Sequence, residues 1–155
     1  MILYASRYPD EVAGIVLEDS SHPDQVSRFR AALPPESPDE SPDLTAVRND
    51  LGRPPRGTNI DWPTSCDQVR AVKSLGDIPL VVLTAAPIGS GYGRIPTDVA
   101  ANLDQAWLDM QDEIAALSSN STHIVATTSN HFIHYEEPEL VIDAILDLVN
   151  TARSK

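Results

Sequence analysis

Residues 78–85 read IPLVVLTA. The run carries no charge, is rich in β-branched side chains and is too short for an ordinary helix. Alternation is missing, so both faces of a strand built from it would be apolar. Such a strand belongs in a sheet covered above and below, the arrangement that parallel sheets provide. Two further short apolar runs fit beside it, GIVLED at 14–19 and THIVATT at 122–128.

Between these runs lie helical patterns. Residues 97–117 place Val99, Leu103, Trp107, Met110, Ile114 and Leu117 at steps of three or four, one apolar stripe along a helix. Residues 138–155 form another, opened by Pro138, with Glu136, Glu137 and Glu139 at its positive end and Arg153 at its negative end. Val141, Ile145, Leu148 and Val149 are its predicted buried face. MILYASRYPDEVAG begins as a helix that stops before Pro9, and residues 65–77 predict a short helix stopped by Gly76. Strands alternating with helices imply parallel pairing. The predicted class is α/β, with about three parallel strands flanked by helices.

Residues 20–65 break this regularity. They hold most of the chain's 13 prolines, and predict an irregular segment with two short helices at 24–32 and 44–51. The chain thus divides into a core, residues 1–23 and 66–155, and a Pro-rich insertion, residues 24–65.

Charge narrows the partners. Eleven Lys and Arg against 23 Asp and Glu leave a net charge of −12, with no basic cluster. Such a chain repels phosphate backbones and anionic lipid, so nucleic acid and membrane are not expected partners. The N-terminus lacks the basic and apolar parts of a signal peptide and no stretch reaches the length of a membrane span, which leaves a cytoplasmic location as the expectation. Cys66 has no companion for a disulfide or a zinc site, and no cofactor is expected.

In parallel sheets of this kind all strands end at one rim, where ligand sites sit. Asp19 and His131 follow the first and third strands at that rim. His131 stands in a polar loop, SNHFIHYEEPEL at 129–140, suited to a general base.

YASRYPDEVAGIVLEDSSHPDQ, LGDIPLVVLTA and SNHFIHYEEPELVIDAI together resemble the C-terminal half of the α/β-hydrolases. The resemblance covers most of the chain and is weakest in the insertion. It implies a partial α/β-hydrolase fold, with the insertion in the place of the family's substrate-selecting cap. It also implies that His131, in Asn130-His131-Phe132 where the family commonly has Gly-His-Phe, is the general base. Asn in the glycine's place tolerates left-handed backbone. The acid usually follows the penultimate strand, yet after IPLVVLTA none occurs before Asp98; Asp19 is the better candidate and Asp98 the alternative. The family's nucleophile sits in a Gly-x-Ser-x-Gly turn, and no such pentapeptide occurs here. GSGYG at 89–93 has the wrong order and follows the wrong strand. The helix expected after that turn is the one at the N-terminus, so the chain is expected to start just past the missing nucleophile.

Other residues attract plainer readings. Ser20, Ser21 and Ser90 suit turns better than surrogate nucleophiles, and DSSH at 19–22 is too local to make a triad of His22. His123 opens a strand as a structural residue. His134, near Glu136 and Glu137, fits no standard metal spacing. Trp107 and Met110 read as core. Two expectations follow. One is an esterase-like hydrolase acting on a small-molecule ester, its serine supplied by a complementing N-terminal segment or by a partner. The other is a non-catalytic module that forms a homo-oligomer or binds a partner through an exposed sheet edge.

Overall fold

A computed structural model describes residues 1–51, 60–86 and 94–154. The glycine-rich stretch at 89–93, Ser90 included, lies outside the described residues.

The elements run α1 (Ile2–Arg7), β1 (Ile15–Glu18), α2 (Gln25–Ala32), α3 (Pro42–Leu51), α4 (Trp62–Arg70), β2 (Leu80–Ala85), α5 (Thr97–Ala115), β3 (Ser121–Ala126), α6 (Ile133–Glu136) and α7 (Pro138–Arg153), with a 3-10 turn at Pro9–Glu11. The chain is therefore α/β, with a three-stranded sheet of order β1-β2-β3. Both pairings are parallel, with Ile15 opposite Leu80 and Leu80 opposite Ser121.

β2 is buried along its whole length, as an uncharged run with two apolar faces requires. Leu80 and Val82 pack with Ile15, Leu17, Ile114 and Ala115 on one face. Val81, Leu83 and Ala85 pack with Ala126, Ile133 and Ala144 on the other. Helices cover both faces, α5 on the first and α7 on the second. Gly14 permits the close seating of α7, since a Cβ there would lie 3.2 Å from Leu148 Cδ1 and 3.3 Å from the Pro79 carbonyl.

The insertion is anchored to α5. Phe29, Leu33 and Leu44 bury themselves against Val99, Leu103 and Met110. Arg28 adds a two-pronged bond to Glu113 at 2.6 and 2.7 Å. The proline-rich link before α3 is pinned by Arg48, which bonds Glu40 and the Pro34 carbonyl.

Beyond α6, a single turn within the stretch read as a polar loop, two elements depart from the sequence expectations. α4 spans Trp62–Arg70 rather than 65–77. Its start is fixed by Asp61, which accepts from Thr64 N at 3.2 Å, a cap that outranks Ser65 as a starting signal. Its end comes early because Leu75 and Ile78 are drawn into the core and Leu75 N–H is taken by the Leu117 carbonyl at 2.6 Å. Gly76 then turns the chain in left-handed geometry, φ 66°. α7 is the second departure. Val141 and Leu148 pack inward, but Ile145 and Val149 are exposed, together with Ile142 and Leu146. The helix has two apolar stripes, and a three-stranded sheet covers one.

Candidate active site

Parallel pairing brings the residues after β1 and β3 to one rim. The chain leaving β1 turns sharply at Asp19, the non-glycine residue with positive φ, 40°, among those described. Aspartate tolerates this region better than most side chains. Asp19 N–H still reaches the Leu83 carbonyl at 2.7 Å, extending the ladder by one bond. The carboxylate is buried, 8% exposed. Its Oδ1 accepts from Ala85 N–H and from the Trp107 indole N–H, both at 3.0 Å.

Asp19 Oδ2 meets His131 Nδ1 at 2.8 Å. An ionised carboxylate only accepts, so Nδ1 carries a proton in this bond, and in the neutral form of the imidazole Nε2 keeps its lone pair. The imidazole is 65% exposed against 7% for its acid, so the ring faces solvent while the carboxylate does not. Asp98, the alternative acid, is exposed in the first turn of α5, and the carboxylate bonded to His131 is that of Asp19.

Acidic residues brace the loop carrying His131. Glu137 accepts from Thr128 N–H at 3.0 Å; the Thr128 side chain first, and then this amide, hold its carboxyl below the usual range. Glu136 accepts from Asn130 N at 2.7 Å and from Asn130 Nδ2 at 2.6 Å. Asn130 does not take the left-handed backbone. Its side chain does the loop's work instead, with Oδ1 accepting from Phe132 N at 3.0 Å.

A second acid–imidazole pair lies alongside. His134 Nδ1 meets Glu18 Oε1 at 2.5 Å, and His134 N–H donates to the same oxygen at 3.0 Å. Burial alone pushes Glu18 up; the bonds from His134, aided by the His134 and His131 charges, outweigh it and hold the carboxyl low. This pair ties α6 to the end of β1 and fixes the height of the His131 loop. Among the described residues no cluster of three or more metal-ligating side chains occurs.

The remaining histidines are committed elsewhere. His22 is 7% exposed, accepts from Asp24 N through Nδ1 at 3.1 Å and faces Glu113 through Nε2 at 3.5 Å. Burial holds its imidazole below the ordinary value, and both nitrogens are occupied away from Ser20 and Ser21. His123 sits between Asp112 Oδ1 at 2.6 Å and Thr84 Oγ1 at 2.7 Å. That chain of hydroxyl, imidazole and carboxylate has the order of a catalytic triad, but Thr84 is fully buried and no substrate can reach it. It locks β2, β3 and α5 together. Burial pushes the Cys66 thiol up, away from a reactive thiolate.

The sequence reading placed Trp107 in the core and passed over Gln111. Both reach the site. Trp107 bonds Asp19, and Gln111, with no exposed surface, donates to the Ser20 carbonyl at 2.8 Å. The available signal was the indole N–H, which demands a partner when the ring is buried. A cavity of about 550 Å³ lined by Ala5, Pro9, Leu75 and Ile78 opens at the opposite rim, far from the dyad.

No family model matches the chain, and no solved structure matches it. The chain is 32% identical over 93 residues to "Uncharacterized protein YqjL" of Bacillus subtilis (strain 168), a match covering 59% of this chain and 33% of that protein. The aligned segment thus spans about a third of that relative's length.

Proposed function

We propose that this chain is the acid–base portion of an ester-type hydrolase of the α/β-hydrolase kind. The observation that carries the reading is the 2.8 Å bond between a buried Asp19 and a solvent-facing His131 at the carboxyl rim of a parallel sheet. In the proposed reaction Nε2 of His131 takes the proton of a serine hydroxyl as its oxygen attacks an ester carbonyl. Asp19 keeps the imidazole in the needed tautomer and stabilises the imidazolium that forms. His131 then returns the proton to the departing alcohol, and water repeats the sequence on the acyl-serine. The substrate class is a small-molecule ester. The serine comes from outside residues 1–155, on a complementing segment that pairs with the outer edge of β1.

The test is hydrolysis of a chromogenic ester by the chain alone and after mixing with a fragment bearing a Gly-x-Ser-x-Gly turn. Activity is expected in the mixture. His131→Ala should lower it by roughly 10⁴- to 10⁶-fold, the range set by loss of a triad histidine. Activity indifferent to His131→Ala would overturn the assignment.

A second reading rests on a different observation, the uncovered stripe of Ile142, Ile145, Leu146 and Val149 on α7 beside the β1 edge. A groove of about 390 Å³ runs between them, lined by Gly14, Val16, Ile145, Leu148, Val149 and Arg153. In this reading a second copy pairs its own β1 edge across a two-fold axis, and the module is non-catalytic. Antiparallel pairing of the two edges would bring Arg153, beside the start of β1, toward the partner's acidic strand end at Glu18. A monomer at micromolar concentration in sedimentation would exclude it.

A further inference from the structure

α5 extends two side chains, one turn apart, to the chain leaving β1. Trp107 donates to Asp19 Oδ1 and Gln111 to the Ser20 carbonyl. The two oxygens of Asp19 are thereby divided: Oδ1 takes Ala85 N–H and Trp107 Nε1–H, and Oδ2 faces His131. With the Ala85 bond alone the carboxylate could pivot about Cβ–Cγ. A second donor, from a different element, sets its plane. That plane decides where the imidazole lies.

The other side of Trp107 faces the insertion. Its ring stacks on Phe29 of α2, centroids 5.9 Å apart and planes 23° apart. Phe29 is itself buried, 5% exposed, and α2 is tied to α5 by the Arg28–Glu113 pair. One indole therefore touches the insertion with its face and the acid with its N–H. Packing alone would be served by phenylalanine or leucine, which carry no donor to place.

We propose that Trp107 is a positioning residue that sets the plane of the Asp19 carboxylate, and that through Phe29 it makes the orientation of His131 depend on the seating of the insertion. This rests on the acid–base reading of Asp19 and His131. A shift of α2 moves Phe29, the indole follows, and Oδ1 loses its side-chain donor. The insertion then governs the readiness of the base as well as access to it.

Nitrogen-15 NMR of the full chain tests this. The two tryptophans, Trp62 and Trp107, are distinguished by Trp107→Phe, which retains a ring on Phe29. In that variant the His131 Nδ1–H signal is expected to weaken, and its exchange with water to accelerate about tenfold, as loss of a charge-assisted bond implies. Phe29→Ala, which touches neither partner of the dyad, should give a smaller change in the same direction. Asp19→Asn should abolish the Nδ1–H signature and move the Trp107 indole N–H resonance upfield, reading the bond from its other end with the tryptophan intact. If Asp19→Asn leaves His131 unchanged, the dyad reading itself fails. If it alters His131 while Trp107→Phe and Phe29→Ala do not, the dyad stands and this inference falls. An indole resonance unmoved by Asp19→Asn would overturn it independently of how the other variants fold.

Discussion

Asp19 concentrates the demands of the site in one residue. Its backbone sits in left-handed geometry, its N–H extends the strand ladder, and its two oxygens receive three donors from three elements. A side chain so fully engaged resists rotation, and its three bonds offset the strain of its φ, of order 1–3 kcal/mol. Thr84 gives a cleaner structural case. Its hydroxyl is fully buried and bonded to His123, which in turn donates to Asp112. Thr84→Val keeps the shape but leaves an imidazole nitrogen without its donor, so a loss of about 1–3 kcal/mol is expected. Urea unfolding would register it as a lower midpoint at unchanged slope. An unchanged midpoint would show that the chain from Thr84 to Asp112 adds nothing to stability.

At the scale of elements, the short connection from β3 to α7 is held by carboxylates. Glu137, at the start of α7, accepts from Thr128 N–H, and its carboxyl is lowered by the Thr128 side chain first and by that amide next. A lowered carboxyl contributes stability that is complete above the unfolded glutamate value, about 4.3. That contribution fades as pH falls further, through the depressed folded value. Acidification is therefore expected to loosen the His131 loop, starting below that ordinary value. The Thr128 amide resonance should titrate with a midpoint lower than that of an unpartnered glutamate, and Glu137→Gln should remove the transition. A Thr128 midpoint at the ordinary value would contradict the bond. α7 itself carries more apolar surface than its sheet can cover. Ile142 and Leu146 are 52% and 51% exposed, and their neighbours Ile145 and Val149 continue the stripe at helical spacing.

For the molecule as a whole, that stripe and the outer edge of β1 lie on one side, and together they predict association. Leu146→Lys, which places a charge in the centre of the stripe, should shift light-scattering mass toward the monomer without loss of helix signal. The same substitution should weaken activation by a complementing fragment if such a fragment seats there. Mass and activation both indifferent to the substitution would remove α7 from either interface. No helix among the described residues is long and apolar enough to cross a membrane.

The sheet, its direction and the rim that holds the dyad were legible in the residues. An uncharged, β-branched run such as 78–85 has few places to go, and strands alternating with helices constrain how they pair. That sufficed to place Asp19 and His131 at one end. Less was legible where tertiary partners compete with local signals. α4 ended early because Leu75 and Ile78 gained more from the core than from another helical turn. Asn130 kept an ordinary backbone because its side chain found Glu136 and Phe132 N–H. Trp107 looked like core by its spacing, since periodicity reports which face of a helix is turned inward and is silent on what an N–H on that face will meet.

The sequence by itself therefore determined the class of fold, the order of its elements and the two side chains at the rim. These follow from local periodicity and from the few ways apolar strands can be covered. Only the tertiary structure decided which acid faces His131, which donors hold that acid, and which half of α7 stays bare. Those depend on contacts between residues far apart in the chain, 112 positions for Asp19 and His131, and no local pattern encodes the meeting of two groups that only the packed sheet brings within 3 Å.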